Sequence, residues 1–259
     1  MPIGPARMPL MDHLGELRRR LTIVVVTLVV TTLVMYFASS TVIDLLTDPI
    51  KPFVGDQFYI GSALGGFTTR FTIGFRTALV MCSPMIVWQV LAFFLPALKP
   101  NERKWVVPTV LAATALFFVG MIFCYFFIVP PAFEWLTSEV AAIANPLAML
   151  DDYIGTEMLL MIGFGVAFEL PLIVFYLAVF HIVPYASFRA SWRVIYVVLA
   201  VVAACITPDA SPVTMLLMFA VLISLYEIAL AVTRFAIVAR EGKAGLKKRS
   251  VSLFADDDE

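Results

Sequence analysis

The sequence predicts an all-α membrane protein with six transmembrane helices. Of its 259 residues, 61% are hydrophobic and only 14% are charged. The mean hydropathy is +0.96, whereas a soluble globular domain carries about 25% charged residues. Apolar segments recur along the whole chain, and the basic residues collect in alternate connections between them. A soluble domain is therefore excluded, and the formal net charge of -1 does not indicate a nucleic-acid partner.

Six apolar segments are candidate spans, since about 20 apolar residues are needed to cross a bilayer as a helix. Their approximate bounds are 21–38, 71–95, 105–130, 156–180, 193–207 and 213–233. The first exceeds the usual apolar region of a secretory signal peptide and precedes five more spans, so we expect it to be retained. The predicted organisation is a cytoplasmic segment 1–20, one six-helix transmembrane domain 21–233 and a cytoplasmic tail 234–259.

The distribution of basic residues predicts the topology. If the spans alternate in direction, 15 of the 18 Lys and Arg residues share one side, and the other side receives only Lys51, Arg70 and Arg76. The connection 131–155 contains four acidic residues and no Lys or Arg. Basic loops face the cytoplasm in most membrane proteins, so both termini are expected to be cytoplasmic.

The segment before the first span predicts an amphipathic helix with Glu16 on its polar flank. Glu16 precedes Arg20 by four residues, the favourable order for an ion pair within one helix. A local ion pair and a binding role for Glu16 are the two alternatives. The apolar stripe that predicts this helix consists of Leu10, Leu14, Leu17 and Leu21.

The connection 95–105 is compact and contains two prolines. Glu102 stands where the third span begins, so it either stabilises the first helical turn or faces a ligand. Prolines also mark three expected structural turns, at Pro49, Pro171 and Pro208.

Two of the acidic residues inside predicted spans are candidate functional groups, Glu169 and Glu227. An ionised Glu169 near the middle of the fourth span would cost about 2.5–3.5 kcal/mol, which implies a polar partner, a cavity or protonation. Glu227 lies seven residues before Arg234, close enough to the interface for either a structural or a functional role.

Asp209 is expected to lie in a tight external turn between the last two spans. The last two spans are expected to be short, because the 14 residues between Arg193 and Pro208 reach only about 21 Å.

No constellation for catalysis or metal binding is visible. The three cysteines and two histidines lack metal-ligand spacing, and no nucleophile and base are paired within the spans. We therefore expect neither an enzyme nor a cofactor. A small-solute secondary transporter with a midplane glutamate is the alternative function, but such transporters usually show repeated halves, and none is evident here.

Four motifs in order resemble the TatC family, the multi-span core of the twin-arginine protein translocase. They are His13-Leu14-x-Glu16-Leu17-Arg18-x-Arg20-Leu21, Phe93-x-x-Pro96-Ala97-Leu98-x-x-x-Glu102-Arg103, Phe168-Glu169-x-Pro171 and Thr207-Pro208-Asp209. The resemblance runs from about residue 10 to about residue 235.

This resemblance implies a receptor for signal peptides with consecutive arginines, carried by folded cargo. The family's recognition acids match Glu16 and Glu102, with Phe93, Arg18 and Arg20 in the same patch. Because a carboxylate accepts a guanidinium bidentately, two acids on one rigid surface can require two arginines.

The resemblance further implies a concave, glove-like bundle in a bacterial-type inner membrane, driven by the protonmotive force. Single-span partners of the TatA and TatB type would dock near the polar site formed by Glu169, Glu227 and Asp209, in an oligomeric receptor complex surrounded by lipids. Val213 and Phe219 depart from the family pattern, which has glutamine and proline there.

Overall fold

The computed structural model describes residues 10–94, 106–143, 147–179, 182–207 and 211–241, and helices dominate all of these ranges. Within them, the one β-type pairing is an isolated bridge between Tyr59 and Met149. Two compact units can be distinguished. The first contains residues 1–118 and 125–158, and the second contains residues 119–124 and 159–259.

The first unit begins with four helices. They are α1 (Leu10–Phe37), α2 (Ser39–Thr47), α3 (Lys51–Val54) and α4 (Gly65–Phe94). The predicted amphipathic segment and the first span form the single helix α1, which packs along α4. A Cβ atom on Gly74 would lie 3.0 Å from the backbone nitrogen of Tyr36, so this glycine permits the close approach of α1 and α4. Leu14, Leu17 and Leu21 are exposed, so the apolar stripe of α1 faces away from the protein while its polar flank faces α4.

The third predicted span is longer than expected. Helix α5 (Val106–Phe123) continues through a π-helical turn at Cys124–Ile128 into α6 (Val129–Ala141). The predicted end near residue 130 was therefore wrong. Pro130 and Pro131 lie in the first turn of α6, where proline removes no hydrogen bond that the helix would otherwise make.

The fourth predicted span consists of two helices, α7 (Leu150–Ala167) and α8 (Leu170–Val179). They are separated at Phe168 and Glu169, where the amide of Glu169 bonds the carbonyl of Val166, three residues back, at 3.1 Å. Pro171 has no amide hydrogen to continue the α7 ladder, which explains the interruption.

The chain ends with α9 (Tyr185–Ala190), α10 (Trp192–Ile206) and α11 (Pro212–Glu241). In the second unit, α11 packs against α8 and α10. The 15 residues of α10 match the predicted short span, and Ser191 separates it from α9. The prediction of a short last helix was wrong, because α11 has 30 residues and runs past Arg234.

Five helices of the described ranges are long and apolar enough to cross a membrane. They are Leu14–Phe37, Gly65–Phe93, Val106–Ala141, Leu150–Val179 and Pro212–Ala239. The sixth predicted span corresponds to α10, an apolar helix below that length. The chain is therefore a helical multi-pass membrane protein.

Candidate functional site

The first turns of α1 and the last turns of α4 enclose an open cavity of about 470 Å³. It lies entirely within the first unit. Its lining combines one carboxylate, two guanidinium groups and an amide with an indole ring, and consists of Gly15, Glu16, Arg19, Arg20, Ile23, Trp88 and Gln89. Such a cavity can receive an extended peptide with basic side chains, because it offers both an acceptor carboxylate and an apolar wall.

The carboxylate of Glu16 is held by Arg20. The Nη2 and Nε atoms of Arg20 donate to Oε1 of Glu16 at 2.5 and 3.1 Å. Nη1 of Arg20 donates to Oε1 of Gln89 on α4 at 3.1 Å, which fixes the guanidinium between the two helices. The predicted local ion pair is thus present.

Oxygen Oε2 of Glu16 accepts no hydrogen bond from the described part of the chain. The Glu16 side chain is 27% exposed, so solvent can reach it. A carboxylate oxygen has more than one acceptor position. Glu16 can therefore accept a second guanidinium without first losing Arg20.

The structure brings together only some of the predicted site residues. Phe93 is half-buried and follows Gln89 by one turn of α4, whereas Arg18 is exposed and does not line the cavity. Glu102 lies outside the described residues. Sequence reasoning missed Arg19 and Trp88 in the cavity wall; the polar Gln89 inside an apolar segment was the available signal.

Glu169 lies at the interruption between α7 and α8, in the second unit. It is partly exposed, but its Oε1 atom is buried and has no hydrogen-bond partner in the described part of the chain. The interruption thus leaves one carboxyl oxygen of Glu169 buried within the fourth predicted span. Such a carboxyl group can accept a proton, or a hydrogen bond from a polar group of another molecule.

Two glycines maintain the packing around Glu169. A Cβ atom on Gly120 would lie 2.6 Å from the carbonyl oxygen of Phe164 and 2.8 Å from Cγ of Phe168. A Cβ atom on Gly163 would overlap the side chain of Ile206. The side chain of Ile206 therefore packs closely against α7 at Gly163.

Glu227 has polar partners on two neighbouring helices. Nη1 of Arg189 donates to its Oε2 and Oε1 atoms at 2.9 and 3.2 Å, and the hydroxyl of Tyr196 donates to Oε1 at 3.0 Å. The hydroxyl of the adjacent Tyr226 donates to the carbonyl of Phe188 at 3.0 Å. These contacts join α9, α10 and α11, which favours the structural alternative for Glu227.

Glu157 is a buried acid that the sequence reasoning missed. It is fully buried on α7, and neither carboxyl oxygen has a hydrogen-bond partner in the described ranges. Its position near the start of the fourth predicted span was a signal of the same kind as that of Glu169, because an acid in an apolar segment needs a polar partner or a proton.

Of the expected proline turns, the one at Pro49 lies in the described part of the chain and the one at Pro208 does not. Pro49 lies in the turn 48–50 between α2 and α3. There Nζ of Lys51 donates to Oδ1 of Asp48 at 2.7 Å, and this hydrogen bond raises the pKa of Lys51. Pro208 and Asp209 lie outside the described residues.

Among the described residues, no group of three His, Cys, Asp or Glu side chains could hold a metal ion.

Comparison with known proteins identifies the family. A family model described as Sec-independent protein translocase protein (TatC) matches residues 12–220. The chain belongs to the TatC family. This range includes the Glu16 cavity, the interruption at Glu169 and the whole of α10.

Relatives in the TatC family come from bacteria and chloroplasts. The Sec-independent protein translocase protein TatC of Deinococcus radiodurans is 34% identical over 91% of this chain and 90% of that protein. The chloroplastic TATC of Pisum sativum is 31% identical over 85% of this chain and 62% of its own length. A crystal structure of the twin arginine translocase receptor TatC in DDM has a TM-score of 0.74 at 28% identity, and the match covers 85% of this chain and 99% of that one.

Proposed function

We propose that this chain is the receptor subunit of a twin-arginine translocase, which binds the Arg-Arg signal peptide of folded precursor proteins for their transport across a membrane. Membership of the TatC family supports this role, as does the structural similarity to a TatC known as a twin arginine translocase receptor. The role consists of binding and conformational change, without a catalytic step. No observation favours the alternative of a small-solute transporter.

The observation that carries the proposal is the Glu16 carboxylate in the α1–α4 cavity, of which only one oxygen accepts hydrogen bonds from the described residues. Arg20 bonds only Oε1 of Glu16, and the cavity beside it has room for a peptide side chain. An incoming guanidinium would bond Oε2 through its planar fork, while Trp88 supplies an aromatic face on which that group can stack. A lysine ammonium lacks this fork and would bind less well.

The second arginine of the signal peptide is assigned to Glu102, with Phe93 and Arg18 at the edge of the same surface. Glu102 and Phe93 lie close in sequence, because Phe93 is in the last turn of α4 and Glu102 precedes α5. Two carboxylates on one surface would select for peptides with two arginines. A peptide with a single arginine could pair with only one of the two carboxylates.

The membrane arrangement is part of the proposal. Six spans, with α10 as the short fifth, form a concave bundle in a bacterial-type inner membrane with both termini in the cytoplasm. Residues 1–20 and 234–259 are the cytoplasmic segments and 21–233 the transmembrane domain. The concentration of 15 of the 18 basic residues on one side supports this orientation.

Photo-crosslinking to a synthetic signal peptide tests the recognition step. A peptide with Arg-Arg should label residues 10–20 and 93–103 of the full chain, and a Lys-Lys peptide should not. Glu16→Gln should weaken binding of the Arg-Arg peptide about 10- to 100-fold, because a hydrogen bond to a charged group contributes about 1.5–3 kcal/mol.

The matched control is Asp44→Asn, which neutralises an exposed carboxylate on α2 that does not line the cavity. This variant should bind the peptide like the wild type. Equal labelling by the Arg-Arg and Lys-Lys peptides, or equal affinity of the Glu16→Gln and wild-type chains, would refute the recognition model.

We propose that the carboxyl group of Glu169 acts after peptide binding, where single-span partners of the TatA and TatB type assemble with the receptor. Its buried Oε1 atom, which has no hydrogen-bond partner among the described residues, can bond a polar group of a partner helix. Asp209, which falls between α10 and α11 in the sequence, is assigned to the same partner surface. The protonmotive force supplies the energy.

Transport measurements on membrane vesicles test this second step. Glu169→Ala should retain peptide binding and lose transport, because the partner-binding group is removed while the α1–α4 cavity is intact. Glu227→Gln is the control, since Glu227 is already paired within the chain, and it should retain transport. Loss of folded protein in Glu169→Ala would instead assign Glu169 a structural role.

A further inference from the structure

A small polar cavity lies between the first third of α4 and the first turns of α7, within the first unit. Its volume is about 130 Å³, below the roughly 300–1,000 Å³ typical of small-molecule sites. It shares no residue with the Glu16 cavity. Hydroxyl and charged groups of Thr68, Thr69, Thr72, Arg76 and Asp151 line it. Its size and polarity suit a single headgroup rather than a whole metabolite.

Arg76 is the central group of this cavity. Its Nη1 atom donates to the carbonyl of Gly155 at 2.7 Å, and it makes no ion pair with a carboxylate in the described ranges. A guanidinium has five donors, so most of them remain available to a ligand. An unpaired cation within an apolar helix is costly, and an anion in the cavity would offset that cost.

The length of α4 places the outer end of the cavity near the boundary between lipid headgroups and the hydrocarbon core. Helix α4 has 30 residues, about 45 Å at 1.5 Å per residue, and exceeds the roughly 30 Å hydrocarbon core. About five residues at each end of a centred helix therefore extend past the core, which places Thr68 near the boundary. Arg76 follows two turns later on the same face, but its side chain leans toward the helix start and can extend to the interface.

Asp151 adds a negative charge to a cavity that already contains the positive charge of Arg76. It lies in the first turn of α7 and is exposed at the rim, whereas the neighbouring Asp152 does not line the cavity. A purely anionic ligand would be repelled by this carboxylate. A ligand with a phosphate and a nearby ammonium group would instead match both charges.

We propose that the cavity binds the headgroup of a zwitterionic aminophospholipid. The phosphate diester oxygens accept hydrogen bonds from Arg76 and from the hydroxyls of Thr69 and Thr72, and the ammonium group pairs with Asp151. Inorganic phosphate shares the acceptor oxygens but has no cation for Asp151. The site is independent of the proposed signal-peptide binding, because the two cavities have no residue in common.

Native mass spectrometry of the full chain in detergent tests the site, with dilauroyl phosphatidylethanolamine, dilauroyl phosphatidylglycerol and inorganic phosphate as probes. The wild type should retain the ethanolamine lipid at least tenfold better than the glycerol lipid. Arg76→Gln should lose retention of the ethanolamine lipid tenfold or more. Asp151→Asn should reduce retention of the ethanolamine lipid alone and remove the preference.

The matched controls are Arg70→Gln, an exposed cation on α4 outside the cavity, and Asp152→Asn, an exposed first-turn acid outside it. Both should retain the lipids like the wild type. Equal retention by Arg76→Gln and the wild type would overturn the site, and displacement of the lipid by millimolar inorganic phosphate would assign it to a free anion instead. If Arg76→Gln does not fold, the comparison of Asp151→Asn with Asp152→Asn decides, and equal lipid preference in the two would refute the proposal.

Discussion

Replacing Gly120 by alanine adds one methyl group at a close contact between α5 and α7. The new Cβ atom would lie 2.6 Å from the carbonyl oxygen of Phe164, and Cβ atoms essentially never approach other atoms closer than 3.0 Å. The two helices must therefore separate by about 0.4 Å at this point. Overpacking of this kind costs about 1–3 kcal/mol, and the upper part of that range applies because a backbone carbonyl cannot rotate away.

Alanine also has a helix propensity about 1 kcal/mol better than glycine, so the expected net loss for Gly120→Ala is about 1–2 kcal/mol. In a domain of this size, that corresponds to a decrease in Tm of about 2–8 °C. Gly15→Ala is the matched control, because no atom lies within 4 Å of its added Cβ. Its Tm should equal or exceed that of the wild type.

Thermal unfolding of the detergent-purified chains, followed by tryptophan fluorescence, measures both values. Because Phe168 also contacts the added methyl group and precedes Glu169, Gly120→Ala should also reduce transport without weakening signal-peptide binding. A Tm of Gly120→Ala equal to that of the wild type would refute the packing argument.

Two further predictions concern acidic residues. Glu157→Leu should raise the Tm, because a buried carboxyl group without a hydrogen-bond partner costs about 1–3 kcal/mol, and Glu157 has none among the described residues. Glu157→Gln leaves a buried polar side chain and should change the Tm little. A lower Tm for Glu157→Leu would show that the carboxyl group has a stabilising partner. A double-mutant cycle of Arg189→Gln and Glu227→Gln should give a coupling of about 0.2–1 kcal/mol, because both side chains are substantially exposed. That coupling should decrease in 1 M salt, and a salt-independent value would contradict an exposed ion pair.

The helical class and the order of the apolar segments could be predicted, because hydropathy reports directly on transfer into lipid. Helix ends were less predictable. The third span was expected to end near residue 130, yet a π-helical turn at Cys124–Ile128 leads into a new helix with Pro130 and Pro131 in its first turn. A break at Pro171 was predictable from the sequence, because proline lacks the amide hydrogen that the next hydrogen bond of the helix requires.

Contacts within one helix could be predicted at the candidate site, and contacts between helices could not. Glu16 and Arg20 are four residues apart, so helical periodicity alone pairs them. Gln89 is 69 residues from Arg20 in sequence, and no local pattern indicates that α1 and α4 place them together. The burial of the Glu157 carboxyl group, without a hydrogen-bond partner in the described ranges, likewise results from tertiary packing. A single sequence does not display such packing.

The hydrogen bond between Arg20 and Gln89 means that Glu16 keeps a cation of its own in a fixed position. The positive charge of Arg20 offsets the negative charge of Glu16, so charge alone attracts a basic peptide to Glu16 only weakly. A ligand that also engages a second acid therefore has the advantage. Because Arg20 stays on Oε1 while a ligand binds Oε2, the Glu16 side chain has the same position before binding and after release.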